Sequence, residues 1–400
     1  MSTAHTTRSD SDSLHVLILP SFYDDPDRPV LGSFFKDQAV ALANGGQRVG
    51  VVYEEGRRLQ ALSLKNLRMN HFQKRWSEVN GVRELRRHAW NPMSQHVAGG
   101  KIWSRWMVQL AERYITEQGV PDIIHAHNCV WAGHAAVRVA AKHRAASVIT
   151  EHSTSFPLRT VPPALEAPIK ETLARADAVV AVSRALADSM APYLQGKTAH
   201  IVPNVVDSDY FHLPRHDPAP SPRVFLCVAK LFEKKGIDVL LRAWASCFRG
   251  RGDVELRIGG DGPLRAQLHS LTETLEIRDN VRFLGEIKRD RVRQEMWEAH
   301  VFVLPSRFET FGVVVIEALA TGLPVIATVC GGPEEILTPD LGVLLQPEDE
   351  TGLAATLEQM ARAPMPDRKG ARQHVMSRYS APVIAELLTD LYRQTLVDRR

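Results

Sequence analysis

From Leu14 onward one pattern recurs: a short aliphatic, β-branched run, then a glycine-rich or polar turn, then an amphipathic helix. "LHVLILP" reads as a strand and "GSFFKDQAVALANGG" as a helix closed by glycines; "RVGVVY", "PDIIHAH", "ASVIT", "ADAVVAVS" and "AHIVPN" continue the strands. Apolar runs that alternate with helical patterns indicate parallel βαβ units whose sheet is covered on both faces. The pattern breaks in "DYFHLPRHDPAPSPR", residues 209–223, where Pro214, Pro218, Pro220 and Pro222 forbid a regular element. It restarts with "VFLCVAKL", "VELRIGG", "VRFLGE", "VFVLPS" and "LPVIAT", and the chain ends in an amphipathic helix, "APVIAELLTDLYRQTLV". The simplest reading is two doubly wound halves joined by a proline-rich hinge. Ligands of such sheets bind beyond the carboxyl ends of the strands, so the expectation is a cleft between the halves.

At 400 residues the chain suits two domains better than one core. A net charge of +3 is too small to argue for nucleic acid. Cys129, Cys227, Cys247 and Cys330 show no CxxC spacing, which excludes a zinc ribbon or a disulfide framework and suits a reducing compartment. Residues 1–13 are polar and read as a disordered tail, not a signal peptide. No run of about 18 apolar residues occurs, and the expected location is cytoplasmic.

The chemistry concentrates in "FETFGVVVIEALATG", residues 308–322, which reads as a strand exit followed by a buried helix with Thr310 as its N-cap. Glu309 and Glu317 would then lie roughly 12 Å apart along that helix, about the reach of a nucleoside diphosphate-sugar from sugar to ribose. Buried glutamates need partners; sugar and ribose hydroxyls would satisfy them, with phosphates at the helix N-terminus between. The alternative is structural: a first-turn acid that complements the dipole, and a partner for an arginine.

E-x7-E after a strand, with Phe311–Gly312 following the first glutamate, resembles the signature of retaining glycosyltransferases of the GT-B fold, family 4. The likeness extends over nearly the whole chain. "VAKLFEKKGID", residues 228–238, is similar to the family's G-R-L-x-x-x-K-G element, with Lys235 in the lysine place; it departs at Ala229 and at Lys230, where arginine is usual and a bidentate fork is lost. "RIGGDGP", "GLPVIATVCGGPEEI", "PDIIHAHN", "ITEHSTSFP", "ADAVVAVSRAL" and "VPNVVDSDYF" also match family elements.

The resemblance implies two Rossmann-like domains facing a central cleft: an acceptor-side domain over 14–208, the hinge 209–223, a donor domain over 224–379, and a helix over 380–400 that packs back on the first domain. It implies that Glu309, with the backbone of Phe311, Gly312 and Val313, holds the donor sugar and distal phosphate. Glu317 would bind the ribose, and Lys230 with Lys235 would neutralise the diphosphate. His152 would face the transferred sugar, and Gly32 would belong to a loop closing over the phosphates; a satisfied polar histidine and a plain helix-entry turn are the alternatives. Arg184 reads as a salt-bridging residue.

"DSD" at 207–209 imitates a metal-binding DxD but sits in a connector, and His125 and His127 share a strand face without an evident third ligand. No metal or other cofactor is expected. Between Arg57 and Arg105 stand eleven Lys/Arg against two acidic residues, interleaved with Phe72, Trp76, Trp90 and Trp103; this reads either as a surface for anionic lipid or as a solvated face.

The expected activity is transfer of a sugar from a UDP- or GDP-sugar to a glycan or polyprenyl-linked acceptor with retention of configuration. The bacterial surface-polysaccharide setting follows only from the likeness of "LPSFYDDPDRPVLGSFFKDQAVAL" to exopolysaccharide and lipopolysaccharide enzymes. The rivals are a nucleotide-sugar epimerase on the same fold and a sugar-nucleotide-binding protein without turnover.

Overall fold

The computed structural model describes residues 13–23, 32–57, 63–70, 72–94, 96–364 and 368–399. Apart from Ser13, the expected tail over 1–13 lies outside them. The chain clusters into two compact units. One holds the residues up to Val182, Ala187–Val202 and everything from Ile384 on; the other holds Ser183–Leu186 and Pro203–Val383. The proline-rich stretch 209–223 belongs wholly to the second unit.

The first unit is built on eight strands: β1 His15–Pro20, β2 Arg48–Arg57, β3 Lys74–Val79, β4 Val82–Trp90, β5 Ile123–His127, β6 Ala146–Glu151, β7 Ala178–Ala181 and β8 His200–Ile201. Their order is β3-β4-β2-β1-β5-β6-β7-β8, parallel throughout except for β3 against β4. Val16–Leu19 in β1 are fully buried, as a strand covered on both faces requires. The β3–β4 hairpin was not expected from the apolar pattern. It turns at Asn80 and Gly81, both at positive φ (51° and 77°), the conformation that a tight two-residue hairpin needs. The last helix, Ala381–Asp398, buries Ile384, Ala385, Leu388, Leu391, Tyr392 and Thr395 along one stripe. Within the first unit its Tyr392 hydroxyl lies 2.7 Å from His125 Nδ1.

The second unit has six parallel strands: β9 Arg223–Val228, β10 Val254–Gly259, β11 Val281–Gly285, β12 Val301–Leu304, β13 Val325–Thr328 and β14 Gly342–Leu345. The order β11-β10-β9-β12-β13-β14 winds outward in both directions from β9 and β12. That pair is the switch point, where the loops leaving the strand ends diverge and open a crevice. The first unit has its own switch point between β1 and β5. Behind β9, the helix Ile237–Phe248 buries Trp244 and Phe248 against Phe225, edge to face for Trp244. No helix among the described residues is long and apolar enough to cross a membrane.

Candidate functional site

At the switch point of the second unit, the loop after β9 meets the loop after β12. Arg307 N–H and Phe308 N–H both donate to the Lys234 carbonyl, at 2.9 and 3.3 Å. The Arg307 guanidinium grips Asp238 with two parallel bonds of 2.8 Å, a fork geometry that fixes orientation as well as distance. Gly236 makes the approach possible. It sits at φ +62°, and a Cβ there would stand 2.0 Å from the Pro305 carbonyl oxygen; only glycine tolerates both conditions.

This contact brings Lys235 onto Glu309. The ammonium donates to Glu309 Oε1, and Ser306 Oγ donates to the same oxygen at 2.8 Å. Ser306 is fully buried and Glu309 is 8% exposed, so the carboxylate is satisfied by these two donors, as a buried carboxylate must be. Lys234 is half-buried beside them. Burial holds its ammonium below the ordinary range, with Lys235 and Lys230 adding to the effect and Glu309 opposing it. Lys230 itself is exposed.

The helix of this site is shorter than its sequence suggests. It runs Val313–Ala320, and its N-cap is Gly312 at φ 94°, with no side-chain cap. Thr310 is therefore not the cap. Glu309 lies on the loop, where its N–H bonds the Cys330 carbonyl at 3.0 Å, so the helical spacing of the two glutamates does not apply. Glu317 sits about one turn into the helix and is half-buried, whereas Phe311 is buried with its ring edge-on to Tyr379. Without a side-chain cap, the first N–H groups at Gly312 and Val313 stay available. The glycine turn after β13 closes the far wall. Glu334 accepts from Cys330 N at 3.1 Å and Gly331 N at 2.8 Å, a brace that sequence reading missed although "GGPEE" places an acid beside the turn.

The first unit contributes a separate group. Gly32 lies between β1 and the helix Ser33–Asn44, which it caps at φ 80°. His152 follows β6, with Nε2 3.1 Å from His127 Nδ1. Phe34 and Phe35 flank the His152 ring, at 5.2 and 4.9 Å between centroids. Burial pushes the His152 imidazole down to about 3 and His125 likewise, and it holds His127 well below its ordinary value. These rings are neutral at physiological pH. Glu151, fully buried, holds the loop: its Oε1 accepts from the N–H groups of His152 (2.9 Å) and Ser153 (2.8 Å), and its Oε2 from Cys129 N (2.9 Å).

Other expectations resolve more simply. Asp207 accepts from Tyr210 N at 3.0 Å and so shapes a turn. No group of three or more His, Cys, Asp or Glu side chains fit to hold a metal occurs among the described residues. Arg184 is exposed and makes no ion pair among the described residues, which corrects the salt-bridge reading. Among the described residues of 57–105, four arginines are ion-paired: Arg57 with Glu55, Arg86 with Glu84, Arg87 with Glu54 and, at the surface, Arg83 with Glu78. Trp90 is buried, and Trp103 donates its indole N–H to the Glu54 carbonyl at 2.8 Å. Phe72, Lys74, Arg75, Trp76, Arg83, Lys101 and Arg105 remain exposed.

Two Rossmann-like units, with a lysine–glutamate pair beside a helix N-terminus at one switch point, define the class: a GT-B fold. The structure of sucrose-phosphate synthase from Thermosynechococcus elongatus matches it with a TM-score of 0.76 at 21% identity, covering 96% of this chain and 100% of that one. Residues 32–210 match the family model Glycosyltransferase Family 4, and residues 212–378 match Glycosyl transferases group 1. The chain belongs to the glycosyltransferase family that this pair of models describes. It is 30% identical over 197 residues to the gpi3 subunit of the Schizosaccharomyces pombe phosphatidylinositol N-acetylglucosaminyltransferase, covering 48% of this chain and 42% of that one. It is 28% identical over 293 residues to N-acetyl-alpha-D-glucosaminyl L-malate synthase of Bacillus anthracis, covering 69% and 76%. The chain spans about half the length of the first curated relatives it matches.

Proposed function

We propose that the chain transfers a sugar from a nucleoside diphosphate-sugar to an acceptor hydroxyl with retention of anomeric configuration. The observation that carries this is the Lys235–Glu309 pair, set beside the uncapped N-terminus at Gly312. A lysine has three donors, so the one given to Glu309 leaves others for a phosphate. The bonds recorded for Glu309 fall on Oε1, which leaves Oε2 for sugar hydroxyls. Glu317, farther along the helix, takes the ribose, and Lys230 takes the proximal phosphate. His152 and Gly32, in the first unit, are assigned to the transferred sugar and to the phosphates by the family resemblance alone.

When the bond from C1 to the phosphate oxygen breaks, its electron pair stays on that oxygen. Charges and dipoles set in advance around developing charge usually supply the largest catalytic term; Lys235, Lys230 and the helix N-terminus are such a set. The acceptor oxygen bonds C1 on the face being vacated, and its proton passes to the departing phosphate. No side chain is needed as a base.

The donor is a UDP- or GDP-sugar and the acceptor a glycan or polyprenyl-linked sugar of surface-polysaccharide synthesis. The donor half is supported by the site and the acceptor half by the resemblance alone. Thermal-shift screening against UDP, GDP and their sugars identifies the base, because a ligand of the folded state raises its midpoint. Proton NMR of the product from an α-linked donor should show an α linkage, formed equally well in EDTA. A β linkage, or activity lost in EDTA and restored by magnesium, would overturn the mechanism.

A further inference from the structure

β3 is the outermost strand of the eight-stranded sheet, and no described strand pairs with its outer side. Its residues Lys74 to Glu78 are all exposed. An edge of this kind offers unpaired N–H and C=O groups to another strand. Which residues offer them follows from the pairing with β4. There the His88 N–H donates to the Gln73 carbonyl at 3.2 Å, and the ladder aligns Arg75 with Arg86 and Ser77 with Glu84. Antiparallel pairs alternate between bonded and non-bonded, so Gln73, Arg75 and Ser77 turn their backbone groups toward β4. Lys74, Trp76 and Glu78 turn theirs outward. The side chains of these three share one face of the sheet, where the 36% exposed Trp76 lies 5.8 Å from Tyr114 between ring centroids.

The order of residues along this edge is self-complementary. When a strand pairs with a copy of itself about a two-fold axis, it is read in reverse against itself, and opposed residues share a face. With Trp76 on the axis, Lys74 meets the partner's Glu78, Glu78 meets the partner's Lys74, and Trp76 meets the partner's Trp76. All three have outward backbone groups, so each pair can exchange both of its hydrogen bonds. On the other face, Arg75 meets the partner's Ser77. Opposite charges and aromatic rings directly across an antiparallel pair stabilise it, whereas like charges oppose it. Moving the axis one residue back would set Arg75 on the partner's Arg75. Moving it one residue on would set Glu78 on the partner's Trp76 and leave Lys74 opposite the turn residue Asn80. Charged side chains commonly guard an edge against pairing; here the acid and the base stand where they attract a second copy. Arg83 of β4, 3.5 Å from Glu78, continues the alternation of sign inward.

We propose that β3 is the interface of a homodimer: two copies of this chain pair edge to edge about a two-fold axis at Trp76 and join their sheets into one. β4 and β2 lie between this edge and the β1–β5 switch point. The interface is thus separate from the groups assigned to the reaction, and the proposal does not rest on the activity read from them.

Sedimentation velocity of the full chain over a dilution series tests the pairing. The species should pass reversibly between 44.6 kDa and twice that mass. Lys74→Glu and Glu78→Lys each set like charges across both symmetric contacts, so each should weaken the dimer by about tenfold or more. Combined, they merely reverse the pair and should restore most of the loss. Both positions are exposed, so the melting temperature of the dilute monomer should not change. Under mild oxidation Trp76→Cys should cross-link to its own copy, since a bonded pair stands about 5.5 Å apart between Cα atoms. Ser77→Cys lies diagonally from its copy, roughly 7–8 Å away, and should not. A monomer at every concentration overturns the proposal, and its sedimentation with anionic vesicles would give the edge to lipid instead. A dimer that neither single change weakens lies on another surface and overturns it equally. So does failure of the combined change to restore what both single changes lost; if a charge variant melts early, the two cysteine variants decide alone.

Discussion

Three carboxylates show how differently one residue type is satisfied. Glu309 is buried against a cation, Glu317 is half-buried on a helix, and Glu151 is buried on backbone N–H groups. Each predicts a different failure. Lys235→Ala removes a preorganised charge from the departing phosphate and leaves Glu309 buried without its cation; turnover should fall by on the order of 10²–10³. If a rate assay at saturating donor shows no loss, Lys235 is not at the phosphate. Glu317→Ala should fold normally and weaken nucleoside diphosphate binding by about 1.5–3 kcal/mol, the worth of a charged hydrogen bond. Calorimetry showing unchanged affinity would end the ribose assignment. Glu151→Gln replaces one acceptor oxygen by an NH₂ group that cannot accept, so one side of the staple opens. The expected cost is about 1–3 kcal/mol of stability, read as a lowered Tm with the His152 loop displaced. A Tm equal to wild type would show that the loop needs no carboxylate.

At the scale of elements, the site depends on two loops that approach more closely than side chains permit. Gly236→Ala would put a methyl group 2.0 Å from the Pro305 carbonyl oxygen, at a φ that alanine avoids. The loop after β9 must then retreat from the loop after β12, and Lys235 with it. Nucleotide affinity should fall together with the melting temperature of the second unit; retention of both would mean that the loops separate freely. The β3–β4 hairpin makes a second case. Its outer edge keeps Lys74, Arg75 and Trp76 exposed, after the neighbouring arginines have been taken up by Glu54, Glu55 and Glu84. If this edge meets anionic lipid, vesicles should retain the protein at low salt and release it at high salt. Lys74→Gln with Arg75→Gln should abolish the retention, and equal sedimentation of both proteins would return the edge to solvent.

Over the whole molecule, the buried imidazoles set the response to acid. Burial brings His15 to about 4 and His125 and His152 to about 3, and holds His127 well below its ordinary value, all in the first unit. Their folded values lie below the unfolded value near 6.5. The unfolded chain therefore binds more protons in that window, and stability falls as pH drops from about 6.5 toward 3, by up to ~1.4 kcal/mol per pH unit for each ring. Glu54, raised to about 7 by burial against the pull of Arg87, works the other way: its contribution is present below about 4.5 and lost as pH rises through 7. One such group does not offset four histidines. The second unit has His300, lowered to about 4, and His374, lowered less. Differential scanning calorimetry from pH 7 to 4.5 should show the first unit losing stability more steeply. Parallel shifts of the two transitions, or none, would contradict this.

Most strands could be read directly. β1, β2, β5 to β7, β9, β10, β12 and β13 are largely buried apolar runs, and such runs bear the mark of burial in composition alone; β11, at the sheet edge, was read from its apolar run although it is only partly covered. The glutamates, Lys230, Lys235, Gly32 and His152 were also legible as candidates, because motif spacing survives in one dimension. Three things did not follow from it. Helical periodicity placed Glu309 on the helix, whereas the left-handed Gly312 and the bond from Glu309 N to Cys330 put it on the loop. The Glu151 staple left no trace, because a carboxylate satisfied by backbone N–H groups implies no partner residue in the sequence. And β3–β4, masked by its charged side chains, announced itself only in Asn80–Gly81. Local pattern reports what each segment buries. Which side chains meet depends on strand register, and it is the alignment of His127 with Thr150 across β5 and β6 that brings two histidines 25 residues apart into contact.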